Sequence, residues 1–160
     1  MRGRKGVMKT MREILFRGKR TDNGEWVQGY ICRYGWIGKE KDYIIPDYTS
    51  ALYTAEIDPK TISQYTGLTD KYDKKIFEGD IINVTPDTTN RLMEVRWNEE
   101  TLSWELTDVG TPAFEINHIF NTIDLAELEV ESCYGERISF IVGNVYDNPE
   151  MMEKIEEDHE

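Results

Sequence analysis

Short runs of alternating apolar and polar residues, separated by turn-forming residues, make up most of the chain. Residues 13–17 and 26–34 are two such runs, and Asn23-Gly24 between them favours a hairpin turn with positive φ at both positions. Residues 92–97 and 102–107 predict a second hairpin, with Trp97 and Trp104 as cross-strand neighbours. Further short strands are predicted at residues 43–45, 61–67 and 81–84.

The C-terminal third contains the helix signals. Residues 129–134 and 137–142 are expected to pair across Gly135-Glu136, whereas Thr122 is an N-cap candidate for a short helix. Asn148 is a stronger N-cap candidate, because Pro149 at the first helical position loses no hydrogen bond. The pattern therefore predicts a mainly β (β-rich α+β) fold that ends in a short helix.

Composition places the chain among folded domains. Its 160 residues include 39% hydrophobic and 11% aromatic side chains, enough for the core of one domain. Cys32 and Cys133 form no C-x-x-C pair and are expected to be free, buried thiols, with a single long-range disulfide as the alternative. No apolar run approaches the ~18–20 residues of a membrane span, so a soluble, cytoplasmic protein is expected.

Charge is distributed unevenly along the chain. Residues 1–20 carry eight Lys/Arg and one acid, a charge of +7, whereas residues 99–160 carry two Lys/Arg and seventeen acids, a charge of −15. The acidic half repels a phosphate backbone, which argues against binding to double-stranded DNA. It favours a basic protein surface as the partner. Residues 1–10 are expected to form a flexible basic extension, and residues 153–160 an acidic tail.

Reactive constellations are not evident. The two histidines, His118 and His159, have no partner at a catalytic or zinc-binding spacing. The acids between Asp70 and Asp80 do not follow the calcium-loop pattern, and phosphate-loop and nucleophile-elbow motifs are absent from the sequence. We therefore expect no catalytic residues, no metal and no cofactor, while an enzyme using carboxylates and His118 stays a minor alternative.

The aromatic residues are the best candidates for a functional surface. They pack a core, or they form an exposed face that grips a partner protein or stacks nucleic-acid bases. Binding of single-stranded nucleic acid normally needs Lys or Arg beside such a face, and residues 12–41 supply them: Arg12, Arg17, Lys19, Arg20, Arg33, Lys39 and Lys41. The candidate binding surface comprises Trp26, Tyr30, Arg33, Tyr34, Trp36, Trp97 and Trp104.

Three segments resemble one protein family. They are MREILFRGK with GEWVQGY at residues 11–19 and 24–30, QYTGLTDKYDKKIFEGDII at residues 64–82, and VGNVYDNPEM at residues 142–151. Together they resemble the YopX family of small proteins from bacteriophages and prophages of Gram-positive bacteria. Residues 72–74 depart from it, since relatives commonly have an Asn-Gly turn there.

The resemblance implies a fold and no chemistry. It implies a β-rich domain with an SH3-like β-barrel core over residues 11–152, with a possible N-terminal lobe at 11–60 and the barrel at 61–147. The family has no established biochemical activity, so no catalytic residue is carried over. We expect a phage- or prophage-encoded, non-enzymatic module that binds a host or phage macromolecule, most simply a protein. Alternatives are a single-stranded nucleic-acid binder through residues 12–41 and a small enzyme. Self-assembly into a homo-oligomer is also possible.

Overall fold

The computed structural model describes residues 13–49, 53–84, 92–109, 122–124 and 139–152, and at 122–124 the backbone alone. These ranges contain eleven β-strands and two 3-10 turns, at Pro59–Thr61 and Pro149–Met151. The strands are β1 Phe16–Lys19, β2 Trp26–Tyr34, β3 Lys41–Pro46, β4 Ala55–Glu56, β5 Ser63–Thr69, β6 Lys75–Phe77, β7 Asp80–Asn83, β8 Leu92–Asn98, β9 Ser103–Asp108, β10 Thr122–Asp124 and β11 Phe140–Asn144.

The strands form two antiparallel sheets that follow each other in the chain. The first has six strands in the order β4-β3-β2-β1-β5-β6, and the second has five in the order β10-β9-β8-β7-β11. The chain passes between them at the tight turn after β6, where Gly79 has φ +76°. A Cβ at Gly79 would lie 3.1 Å from Tyr146 Cε2, so this turn favours glycine through both its backbone and its neighbour.

The first sheet curls around a small core. Its buried cluster consists of Val27, Ile44, Ala55 and Ile57. Curling brings Ile57 beside Arg20 in an isolated bridge. β3 crosses so close to Gly29 that any Cβ there would clash with the Ile45 carbonyl oxygen.

The second core consists of Ile76, Ile82, Met93, Val95 and Leu106. Ile76 belongs to β6 of the first sheet and the other four residues belong to the second sheet, so this core lies where the two sheets meet. A third cluster of Leu15, Tyr65 and Phe77 lies on the first sheet, near its junction with the second. β6 contributes Ile76 to the core shared by the two sheets and Phe77 to the third cluster, because alternate residues of a strand point to opposite faces.

The mainly β fold and both predicted hairpins are confirmed. β1 pairs with β2, and β8 pairs with β9 with Trp97 directly opposite Trp104. The two indole rings meet edge to face with centroids 5.0 Å apart. The predicted strands at 43–45, 61–67 and 81–84 correspond to β3, β5 and β7, with shifted ends.

The SH3-like barrel and the C-terminal helix are wrong. The described strands form two separate sheets with edge strands β4 and β6 in the first and β10 and β11 in the second, and they do not close into one barrel. The isolated bridge between Arg20 and Ile57 is the contact that links the β4 side of the first sheet back to β1. Helical backbone after Asn148 is limited to the 3-10 turn Pro149–Met151. Asn148 does not cap this turn; its Oδ1 accepts from the backbone N–H of Asn144 instead.

Two local predictions also fail. Thr122 does not start a helix, because Thr122–Asp124 pairs with β9, and tertiary pairing overrides a weak local signal. Asn23 does not have positive φ; only Gly24 of this pair does, at 73°. Instead Asn23 Oδ1 accepts from the backbone N–H of Glu25 at 3.0 Å, so the β1–β2 connection is longer than the predicted two-residue turn. The proposed pairing of residues 129–134 with 137–142 lies largely outside the described residues.

Candidate functional site

The structure divides the predicted surface residues among three places. Tyr30, Arg33, Tyr34 and Trp36 lie on the β2–β3 hairpin. Trp26, at the start of β2, lines a cleft between the two sheets. Trp97 and Trp104 form their edge-to-face pair on the β8–β9 hairpin of the second sheet. The seven residues thus do not form one surface, and the hairpin and the cleft are separate candidates.

The β2–β3 hairpin carries exposed aromatic residues both on one face of the sheet and at the hairpin tip. Tyr30 and Tyr34 are 55% and 52% exposed. Both side chains point to the same side of β2, because the two residues are four positions apart and every second residue of a strand faces the same way. At the tip of the hairpin, Trp36 and Ile37 are 86% and 100% exposed. Together with Tyr43 these four residues are called the hairpin patch.

Stacking holds part of the hairpin patch in place. The rings of Tyr34 and Tyr43 lie 4.1 Å apart between centroids and 14° from parallel. Six residue pairs join β2 to β3, from Gly29↔Pro46 to Tyr34↔Lys41. The patch is therefore supported by a regular ladder. Sequence reasoning missed Ile37 and Tyr43, although an apolar Trp-Ile pair between two glycines, Gly35 and Gly38, is an unusual hairpin tip.

The charges beside the hairpin patch neutralise one another. The Arg33 guanidinium donates to both carboxylate oxygens of Asp42, at 2.7 and 3.0 Å, and these hydrogen bonds raise the pKa of Arg33. Lys41 Nζ contacts both oxygens of Glu56, at 2.8 and 2.9 Å, which raises the pKa of Lys41. Two of the three cations that the hairpin carries are thus engaged by carboxylates.

The cleft between the sheets has a volume of about 580 Å³. Its walls come from β1, β2, β6, the start of β7, and β11 with the loop that follows it. Arg17 crosses the cleft from the first sheet and forms an ion pair with Asp80 of the second, with 2.7 Å between Nη2 and Oδ1. The guanidinium carbon lies 4.7 Å from the Trp26 ring centroid and 4.8 Å from that of Phe77. Aromatic rings therefore cover Arg17.

Asp80 is the most deeply buried acid of the cleft, with 1% of its surface exposed. Its Oδ2 accepts from the backbone N–H of Phe77 at 2.8 Å. Burial raises the pKa of Asp80 above its usual range, even though the charge of Arg17 acts in the opposite direction. The Nε–H of Arg17 is buried without a hydrogen-bond partner.

Asp147 joins the loop after β11 to the first sheet. Its Oδ2 accepts from Trp26 Nε1 at 2.7 Å and from Asn144 Nδ2 at 2.8 Å, and its Oδ1 forms an ion pair with Lys19 Nζ. Partial burial opposes ionisation, but the hydrogen bonds from Lys19, Asn144 and Trp26 prevail and lower the pKa of Asp147 to about 2. Trp26 also meets Tyr146 edge to face, at 5.7 Å between centroids.

Asp70, in the turn before β6, stabilises the fold through hydrogen bonds to backbone N–H groups. Asp70 Oδ1 accepts from the backbone N–H groups of Tyr72 and Lys74, and its Oδ2 accepts from that of Ile141. Within the described ranges, no three His, Cys, Asp or Glu side chains come close enough together to hold a metal ion. His118, His159 and Cys133 lie outside those ranges, whereas Cys32 is a half-buried free thiol. No helix among the described residues is long and apolar enough to cross a membrane.

Comparison with known proteins identifies the family. A family model described as YopX protein matches residues 15–153, so the chain belongs to the YopX family. The crystal structure of protein EF1440 from Enterococcus faecalis is similar, with a TM-score of 0.50 and 22% sequence identity. The alignment covers 89% of this chain and 100% of that one, and this likeness supports the fold alone. No curated protein matches the sequence.

Proposed function

We propose that this protein is a non-enzymatic binding module that docks its hairpin patch onto an apolar surface of another protein. The observation that carries the proposal is the exposure of Trp36 and Ile37 at the tip of a hairpin whose neighbouring charges are already paired. The partner is a host or phage protein of the bacterial cytoplasm, as the family resemblance implies.

The side chains of the hairpin patch are of the kind that dominates protein interfaces. Tryptophan and tyrosine are enriched among interface residues whose truncation weakens binding most. Burying a large apolar side chain completely stabilises a complex by about 1.5–3 kcal/mol. Two such side chains, Trp36 and Ile37, are almost fully exposed to solvent at the hairpin tip. Since they bury little surface in the fold, their apolar area is available to a partner.

The shape of the hairpin also favours binding. The β2–β3 ladder and the Tyr34–Tyr43 stack fix the patch before a partner arrives. A surface that is already ordered loses less conformational entropy on association. The patch therefore does not depend on folding upon binding.

Charge pairing favours a protein over single-stranded nucleic acid. The hairpin carries Arg33, Lys39 and Lys41, but Arg33 and Lys41 already contact the carboxylates of Asp42 and Glu56. Binding to a phosphate backbone would require these ion pairs to break, and it normally needs several free cations beside the stacking rings. Aromatic exposure without available positive charge fits an apolar protein surface better.

Site-specific photo-crosslinking tests the proposal. Ile37, which is fully exposed, is replaced by p-benzoylphenylalanine, and the purified protein is irradiated in a lysate of a Gram-positive bacterium. Leu102, which is 68% exposed on the β8–β9 hairpin, is replaced in the same way as a matched control. The crosslinker at position 37 is then combined with Trp36→Ser, or with Leu102→Ser as the control substitution.

The expected result is a protein adduct that forms at position 37, is absent at position 102, resists nuclease and persists at moderate salt. Trp36→Ser should abolish it, and Leu102→Ser should leave it unchanged, with no change in melting temperature for either. Equal adducts at both positions, or none, would overturn the proposal. Nucleic-acid adducts would replace it with the alternative function, and adducts with a second copy alone would replace it with self-association.

A further inference from the structure

The cleft between the sheets has the size and composition of a small-molecule site. Its volume of about 580 Å³ lies within the range of roughly 300–1,000 Å³ that ligand pockets occupy. Trp26, Phe77, Ile141 and Val142 supply apolar walls, and charged side chains converge between them. Such a combination of apolar surface with few polar groups is typical of sites that orient a small ligand.

Pairing of charges leaves the cleft with an excess of positive charge. Asp80 is paired with Arg17, and Asp147 is paired with Lys19. Lys75 contacts Glu13 at the rim, 3.0 Å away. Lys74 also lines the cleft; it is exposed and forms no ion pair among the described residues, although its charge acts on Asp80. A lysine outside any ion pair is notable in a chain whose net charge is −12.

Arg17 carries a further positive charge in the cleft. The Nε–H of Arg17 is buried and has no hydrogen-bond partner in the structure. Its guanidinium is covered by the rings of Trp26 and Phe77 and paired with Asp80, so it acts on a ligand through its charge and not through a direct hydrogen bond from Nε.

We propose that the cleft binds a small anionic ligand, with its carboxylate or phosphate group held by Lys74 and attracted by the charge of Arg17, and with an apolar or aromatic body packed against Trp26 and Ile141. Phosphate and carboxylate share the chemistry that recognises them here, since each offers several acceptor oxygens and negative charge. The site lies apart from the hairpin patch, and its occupation does not depend on the function proposed for that patch.

Titrations followed by NMR test the site. The indole N–H of Trp26, which donates to Asp147, gives a resonance within the cleft, and the backbone N–H groups of β11 give others. Phenyl phosphate, benzoate, inorganic phosphate and neutral benzyl alcohol are added separately, up to about 10 mM, where even weak millimolar binding is measurable. Lys74→Ala removes the unpaired cation, and Lys60→Ala removes an exposed cation outside the cleft as a matched control.

The expected result is a saturable shift of the Trp26 indole resonance with phenyl phosphate or benzoate, and weaker binding of inorganic phosphate. Lys74→Ala should weaken this binding about fivefold, as befits the loss of one exposed charge, and Lys60→Ala should leave it unchanged. Both lysines are exposed, so neither change should unfold the protein. Equal binding of benzyl alcohol, equal loss in both variants, or no shift within the cleft would overturn the proposal.

Discussion

Asp147 connects the end of the second sheet to the first, and its removal should destabilise the protein in a pH-dependent way. Asp147→Asn abolishes the ion pair with Lys19 and leaves one acceptor oxygen for the two donors Trp26 and Asn144. The pKa of Asp147 is lower in the folded chain than its ordinary value of 3.8. A lowered pKa adds stability above that ordinary value, and the contribution is lost as the pH falls towards the folded value.

The size of the effect follows from the same pKa. A decrease from 3.8 to about 2 corresponds to about 2.4 kcal/mol, at about 1.36 kcal/mol per pH unit. The side chain of Asp147 is 39% exposed, and solvent screening reduces this figure to about 1 kcal/mol. We therefore expect Asp147→Asn to lower the free energy of unfolding by about 1 kcal/mol at pH 7, and by close to zero at pH 2.

Urea denaturation of both proteins between pH 7 and pH 2 measures this difference. Asp22→Asn is a suitable control, because the Asp22 carboxylate pairs with nearby Arg20 in a fully local contact at the surface and should matter little. A difference between wild type and Asp147→Asn that stays constant across this pH range would refute the ionic origin of the connection. If wild type and Asp147→Asn had the same free energy of unfolding at pH 7, Asp147 would not stabilise the contact between the two sheets.

Three further predictions concern other parts of the molecule. Gly79→Ala should lower the free energy of unfolding by about 1–3 kcal/mol in urea titrations, because alanine is strained at φ +76°. Arg17→Met should destabilise by about 3 kcal/mol, because it leaves Asp80 buried without its ion pair, and Arg17→Met with Asp80→Asn should recover part of that loss. A double-mutant cycle on Trp97 and Trp104 should give a coupling energy of about 0.5–1.5 kcal/mol, as edge-to-face aromatic pairs do.

The strands could be predicted from the sequence, because a hairpin is specified by residues that are close together in the chain. The alternation in residues 26–34 and 92–97 and the turn residues next to them specify hairpins without reference to the rest of the chain. The cross-strand pairing of Trp97 with Trp104 followed from the same register. By contrast, Asn148 carries a strong local helix signal, yet its side chain is engaged by the end of β11. Tertiary contacts decided that segment.

The cleft could not be predicted, because its members are far apart in the sequence. Arg17 meets Asp80 across the two sheets, and Trp26 meets Asp147 at a separation of 121 residues. Each residue taken alone reads as a surface charge or a core aromatic. The sequence also could not separate exposed from buried aromatics: Trp36 is exposed and Trp26 lines the cleft, although both were equal candidates.

Substitutions in the cleft should change the free energy of unfolding, whereas substitutions in the hairpin patch should not, and this difference allows their effects on binding to be separated. Arg17, Trp26 and Asp147 hold the two sheets together, so changes there alter stability as well as any ligand binding. Trp36 and Ile37 bury little surface, so replacing them should leave the free energy of unfolding within about 0.5 kcal/mol. Loss of partner binding in a Trp36 variant of unchanged stability can then be assigned to the surface itself, because the fold that presents it is intact.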